Sequence, residues 1–370
     1  MVEQTGVVVR APTPSLVAWC LEQEVERGTA LGAAAHVRYR GEVVIDFACG
    51  RRDEHQLLTA TDIVPWFSVS KIAASVAVAR AWEVGLFDLD EPVASYIPEF
   101  RGGAKDEITI RHLWTHTAPL LAVDSAVNTS MSWKEAIRRI CAAEADGDAG
   151  IRVGYLGHSG MLLLGEVVAR RSGTDFAGFF AREVAVPLGL RSRLGGPAVA
   201  SDLVDVPFID TAATNVRFDA AAGFPSNCVI GPISDAGALC QLILDGGTFQ
   251  GRAVLRPETV MALISPQHAG LVDQRLLMPV TTGLGFALDE FDFGRYCSKR
   301  AFGHGGARSS VAFADPDADL SVAIFFNGNC PLREHVRRIN AASSAVYCDL
   351  GLADPADAGR DHQGPFGLVI

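Results

Sequence analysis

Two pairs of alternating apolar runs, one near each end of the chain, limit what this sequence can fold into more than any other feature. Residues 34–39 and 43–49 run at period two on either side of Arg40-Gly41-Glu42, and residues 309–314 and 320–326 flank Asp315-Pro316-Asp317. A period of two sends successive side chains to opposite faces of a sheet, and the segments between carry turn chemistry, so each pair predicts a β-hairpin. Between them the sequence changes to helical spacing with readable caps. Ser132 with Glu135 predicts a capping box before a helix at 136–143. Thr174 is expected to cap a helix from Asp175, Ser234 one that stops at Gly246-Gly247, and Pro257 suits a first turn. Further helices are expected at 15–27, stopped by Gly28, at 158–171, and at 333–350, ending at Gly351.

Strands at both ends and helices between predict an α/β (α+β) fold with one antiparallel sheet built from both termini and flanked by helices. An all-helical domain would be inserted at 67–274, leaving 1–66 and 275–370 to form the sheet domain. A crevice at their junction is the expected place for a small-molecule site.

Composition narrows the function classes. With 49% hydrophobic and 20% charged residues and a mean hydropathy of +0.21, the 370-residue chain can bury a large core. A net charge of −11 argues against nucleic acid or an anionic membrane as partner, since both require a basic face. Met1 to Arg10 contain no basic cluster followed by an apolar run, and no uninterrupted apolar stretch reaches the ~18 residues of a membrane span, so a cytoplasmic protein is expected. The eight cysteines stand singly, with neither Cys-x-x-Cys nor a Cys/His cluster, so neither structural zinc nor a disulfide framework is expected.

The chemistry centres on Ser68-Val69-Ser70-Lys71 at the start of a helix that is apolar nearly all round. Residues three apart share a helix face, so Lys71 can lie beside the Ser68 hydroxyl, and burial would lower its pKa toward that of a base working near neutrality. Taken alone, the tetrapeptide also fits a plain helix cap. Two later segments supply what it lacks. Tyr155, just before a helix, carries a phenol that can move a proton between a serine and a leaving group. Phe302-Gly303-His304-Gly305-Gly306-Ala307 allows close backbone approach to a ligand, with the Ala307 amide as an oxyanion donor. Separately, these two would fit an aromatic packing residue and a glycine-rich hairpin turn.

Together with residues 66–71, the stretch 108–117 (Ile-Thr-Ile-Arg-His-Leu-Trp-Thr-His-Thr) and 162–168, these segments resemble the serine β-lactamase and penicillin-binding-protein superfamily. The resemblance lies on the class C side, nearest the family VIII β-lactamase-like carboxylesterases, and extends over residues 30–330. It implies Ser68 as nucleophile, Lys71 as its base and Tyr155 as proton relay, with the Ser68 and Ala307 amides as oxyanion hole. It also implies a substrate-binding surface formed by His304, Gly305, Gly306 and Gly157, with no metal and no cofactor. One departure matters: β-lactamases carry Tyr-x-Asn, and here the third position is Gly157, which has no amide to hold the substrate. Another is Thr117-Ala118-Pro119-Leu120, where relatives have a differently shaped loop.

Gly157-His158-Ser159-Gly160 does not complete Gly-x-Ser-x-Gly, so Ser159 is not a rival nucleophile. His112 and His116, four apart on an expected helix, lack the glutamate of a metal motif and are assigned core or capping roles. The expected activity is metal-free acyl transfer from a small-molecule ester or activated amide, most simply to water as a carboxylesterase. The alternative is a transacylase using an amine or alcohol acceptor. A β-lactamase, a D-peptidase and a non-catalytic ligand-binding homologue are further possibilities, and oligomeric state is left open.

Overall fold

The computed structural model describes residues 8–9, 15–196, 203–209 and 219–356. The leader reading of Met1 to Arg10 therefore lies, apart from Val8 and Val9, outside the described residues, as does the tail beyond 356.

Nine strands form one antiparallel sheet in the order Val8–Val9, Glu42–Gly50, Gly32–Tyr39, Leu320–Asn327, Ser310–Asp315, Phe302–Gly306, Ala287–Leu288, Pro279–Thr282 and His268–Val272. Both expected hairpins are present, and Leu320–Asn327 joins them, pairing with Gly32–Tyr39 along its whole length. The period-two pattern separates two apolar faces, not an apolar face from a wet one. Val311, Phe313, Val322, Ile324 and Phe326 pack with Val17, Leu21, Ile339 and Val346 of the first and last helices. Ala312, Ala314, Ala323 and Phe325 face the helical layer, packing with Ala236 and Leu239 of the helix Ile233–Leu244. Alanines on this second face let that helix approach closely: a Cβ on Gly237 would stand 3.5 Å from the Ala323 Cβ.

The terminal helices are tied to each other as well as to the sheet. Ser15 caps Leu16–Glu26, accepting from the Ala18 amide, and the Asp349 carboxylate accepts from Ser15 Oγ and from the amides of Leu16 and Val17. An anion among the free amides of a helix N-terminus is stabilised by them and by the helix dipole.

Several expected helix boundaries shift. Asp175, not Thr174, caps the helix Phe176–Phe180 through its bond from the Gly178 amide. Ile233–Leu244 begins at Pro232, so Ser234 lies inside the first turn and does not cap. Ser132 caps Trp133–Ala142, but only half a box forms, because the Glu135 carboxylate turns to Arg138. The glycine-rich segment is itself a strand, Phe302–Gly306, and the reversal comes after it, where Arg308 takes φ 59°. Low strand propensity is overridden there by packing that admits no side chain.

Two short sheets lie among the helices: Val64–Pro65, Val229–Gly231 and Arg193–Leu194 form one, Thr248–Phe249 and Arg252–Ala253 the other. All eight cysteines are free thiols. Among the described residues no helix is long and apolar enough to cross a membrane.

Candidate active site

Ser68 stands at a sharp elbow. Trp66 is fully buried, with its indole donating to the Gly231 carbonyl and its own carbonyl accepting from Ser310 Oγ. Phe67 then takes φ 50°, an uncommon conformation for a bulky residue, and the chain passes through the 3-10 turn Phe67–Val69 into the helix Ser70–Glu83. Ser70 holds the elbow from below by accepting from the Val229 amide. The strand Phe302–Gly306 comes so close that a Cβ on Gly306 would meet the Trp66 carbonyl oxygen at 2.6 Å and Ser310 Oγ at 2.3 Å. A strained residue fixed on three sides can hold a hydroxyl where an unsupported turn could not.

Lys71 is fully buried, and Tyr155 stands between it and the serine. Lys71 Nζ donates to Tyr155 Oη at 2.8 Å, and Tyr155 Oη donates to Ser68 Oγ at 2.9 Å. The lysine also donates to the carbonyls of Gly157 (3.1 Å) and Ser226 (3.3 Å). The helix does place Lys71 near Ser68, but the path between their polar atoms runs through the phenol. Burial lowers the Lys71 pKa to about 7, Asp124 opposing and Arg275 adding to the shift. Burial raises the Tyr155 phenol above its ordinary value, so it stays protonated near neutrality.

Tyr155 is positioned by its surroundings. Its amide donates to Asp273, its ring lies 5.0 Å from that of His116 and 5.9 Å from that of His304, and Lys71 Nζ sits 4.8 Å from its centroid. His116 lies beyond the short helix Ile110–Trp114, at φ 59°, so it shares no helix face with His112. His112 instead completes the cap of that helix with Thr109, while His116 Nδ1 accepts from the Leu156 amide beside the tyrosine. Burial and the nearby Lys71 lower the pKa of His116, and likewise of His304, to about 3. A neutral His304, with Nδ1 bonded to the Gly305 carbonyl at 2.6 Å, can hydrogen-bond a substrate but cannot draw a carboxylate by charge.

Ser68, Tyr155, His304, Gly305, Gly306 and Ala307 all line one cleft of about 640 Å³, along with His116. Of the strand Phe302–Gly306, only Phe302 and Gly303 pair with the neighbouring Ala287–Leu288, which leaves residues 304–306 as an edge bordering this space. Gly157 is not among the cleft's lining residues. Its carbonyl takes the lysine, its amide donates to Asp124 at 2.9 Å, and a Cβ there would stand 3.3 Å from Arg275 Nη1 and 3.4 Å from Asp124 Oδ2. Where Tyr-x-Asn would offer an amide, this chain places the buried Asp124 paired with half-exposed Arg275.

Asp124 was not singled out from the sequence, yet it organises this loop. Its carboxylate accepts from the amides of Gly157, His158 and Ser159, from Ser159 Oγ, and from Arg275 at 2.5 Å. Burial pushes its pKa up, but these amides and Arg275 more than offset that, so it stays ionised at the N-terminus of the helix Ser159–Ser172. A lone acid in Leu120-Leu121-Ala122-Val123-Asp124 was the available signal, since a charge in an apolar run is retained only when paired. Asp273, likewise missed, accepts from Tyr155, Arg275 and Leu276 amides. Among the described residues no group of three or more His, Cys, Asp or Glu side chains is placed to hold a metal ion.

Sheet, elbow and buried lysine define an enzyme class, the serine hydrolases and acyltransferases of β-lactamase type. Residues 17–346 match the Beta-lactamase family, and the chain belongs to it. It is 24% identical over 339 residues to the esterase/beta-lactamase LipL of Mycobacterium tuberculosis (strain ATCC 25618 / H37Rv), covering 80% of this chain and 77% of that protein. Among solved structures it resembles a penicillin-binding protein homolog from Caulobacter crescentus, with a TM-score of 0.79 and 25% identity over 93% of this chain and 100% of that one. A family VIII carboxylesterase shares the fold, with a TM-score of 0.77 at 23% identity over 92% and 99%.

Proposed function

We propose that this enzyme is a carboxylesterase that forms an acyl-enzyme on Ser68. The hydrogen-bonded line from Lys71 through Tyr155 to Ser68, opening on the cleft, is the observation that carries this reading. With Lys71 neutral, its two N–H groups stay on the Gly157 and Ser226 carbonyls and the other two bonds reverse, so that as Ser68 Oγ attacks the ester carbonyl its proton passes to Tyr155 Oη and the phenolic proton to the Lys71 lone pair. In the reverse direction the same relay protonates the departing alcohol. The amides of Ser68 and Ala307, both in the cleft wall, are assigned to the oxyanion. Water then attacks the acyl-enzyme, activated by the same relay.

LipL carries both activities in its name, and Gly157 favours the first for this chain. An ester requires no amide side chain beside the tyrosine, and the place of one is taken by Asp124 and Arg275. His304, Gly305 and Gly306 would line the acyl side.

The test is turnover of a chromogenic short-chain ester together with a fluorophosphonate mass increment on Ser68. Free acid as product and loss of the increment in Ser68→Ala are expected. No labelling of Ser68 would defeat the reading. An acyl-amine product with hydrolysis suppressed, when an amine acceptor is supplied, would make the enzyme a transacylase instead.

A further inference from the structure

The cleft continues past the strand edge at residues 304–306 to an inner wall that the acyl-transfer chemistry does not use. Glu290, Asp292 and His335 line it, together with Leu332 and Met278. Three buried atoms there have no hydrogen-bond partner: Glu290 Oε2, Asp292 Oδ1 and His335 Nδ1. Asp292 is 5% exposed and His335 4%. Burial raises both carboxyls above the usual carboxylate range, Glu290 to about 7, so without a cation beside them the pair holds a proton, and with one their oxygens are free to accept. Burial, reinforced by Arg338 and Arg308, keeps His335 neutral. Among the described residues neither carboxyl is paired with a lysine or arginine.

The wall is built around this pair. A Cβ on Gly305 would fall 2.1 Å from Asp292 Oδ2, so the glycine is what gives the carboxyl its place against the strand. Asp273 adds a third acid whose charge acts on Glu290. Buried acids side by side cannot both ionise unless something positive lies between or beside them. That can be a shared proton or a cation brought by a ligand. A protonated primary amine is compact and offers three N–H donors and no acceptor, so it can take the place of the shared proton and serve both carboxyls at once.

We propose that Glu290, Asp292 and His335 form a subsite for a primary ammonium group on the substrate. The proposal rests on the esterase reading of the same cleft, and gives that reading a substrate class: aliphatic esters whose acyl chain ends in an amine. Leu332 and Met278 would contact the methylene stem while the ammonium reaches the acids.

The test compares p-nitrophenyl esters of ω-amino acids with their carbon isosteres, such as 6-aminohexanoate against heptanoate, over a series of chain lengths. A charge pair in a desolvated site should favour the ammonium ester about tenfold or more in kcat/KM at its best length. In Asp292→Asn and Glu290→Gln, which keep the shape and lose the charge, that ratio should fall toward one. Wild-type enzyme that prefers the neutral ester at every length overturns the proposal and leaves the acids as a proton-sharing structural pair. So does an unchanged ratio in both variants. If a variant fails to fold, judged by its circular-dichroism melt, the wild-type ratio decides. Calorimetric binding of n-hexylammonium against 1-hexanol separates this proposal from the esterase reading. Ammonium binding without turnover of any ester keeps the subsite and sinks the esterase; turnover without ammonium binding or ammonium preference does the reverse.

Discussion

At the scale of single residues, the pKa of Lys71 links structure to measurable behaviour. A base that must be neutral and has a folded pKa of about 7 should give kcat/KM an acid limb with a midpoint near that value. Lys71→Ala and Tyr155→Phe should each lower kcat by ~10²–10⁴ while the far-ultraviolet circular dichroism is retained. Near wild-type rates in either variant would remove that residue from the relay. The same shift has a stability consequence. The folded pKa lies below the ordinary lysine value, so folding is penalised most below about 7 and progressively less as pH rises toward that ordinary value. The melting temperature of Lys71→Met relative to wild type should therefore be more favourable at pH 6 than at pH 9. A difference independent of pH would mean that Lys71 is charged when folded. Gly306→Ala probes the elbow: its Cβ meets the Trp66 carbonyl, which cannot swing away, so a loss of about 1–3 kcal/mol with lowered activity is expected from denaturant titration.

At the scale of elements, the position of the tyrosine and lysine depends on a helix start. Asp124, on the short helix Leu121–Ala126, holds three consecutive amides at the beginning of Ser159–Ser172, and so sets where the Gly157 carbonyl meets Lys71. Removing the acid leaves those amides and the Ser159 hydroxyl unsatisfied in the interior and takes from half-exposed Arg275 its charged partner. Asp124→Ala should cost about 1–3 kcal/mol in urea unfolding, from the buried amides left without an acceptor, and should lower kcat in the fraction still folded. Unchanged kcat in that fraction would show that the loop holds its place without the acid. Asp124 escaped the sequence reading because its partners, three of them backbone amides, lie more than thirty residues away, and amides have no signature in a sequence. The glycine-rich strand escaped for a related reason. Local propensity reads Gly303-His304-Gly305-Gly306 as a turn, whereas the decisive contacts come from Trp66, Ser310 and Asp292. Helix existence was legible from spacing, but cap positions slipped by a residue or two at Asp175 and Pro232, where neighbouring residues compete for the same end.

At the scale of the whole molecule, the two ends of the chain meet before the sheet is complete. Gly32–Tyr39 pairs with Leu320–Asn327 across nearly the full length of the sequence, and one face of that pairing forms a single apolar cluster with the helical layer. Residues 67–267 expressed alone should therefore not fold, since the alanines of 312, 314 and 323 that cover the helix Ile233–Leu244 would be missing. A cooperative thermal transition in that fragment would show that the helical layer has a core of its own. Such long-range pairing also predicts slow refolding compared with helical proteins of equal stability.

Alone, the sequence determined the class of fold, picked out Ser68, Lys71 and Tyr155 as candidate site residues through a family resemblance, and showed the mismatch at Gly157, because each depends on local spacing or on residue identity. The tertiary structure decided that the phenol lies between lysine and serine, that Asp124 and Asp273 hold the tyrosine loop, and that His304 is neutral. It also decided that Glu290, Asp292 and His335 share one wall of the cleft. Those are matters of distance and desolvation between residues far apart in the chain, and neither quantity exists until the sheet has brought its two ends together.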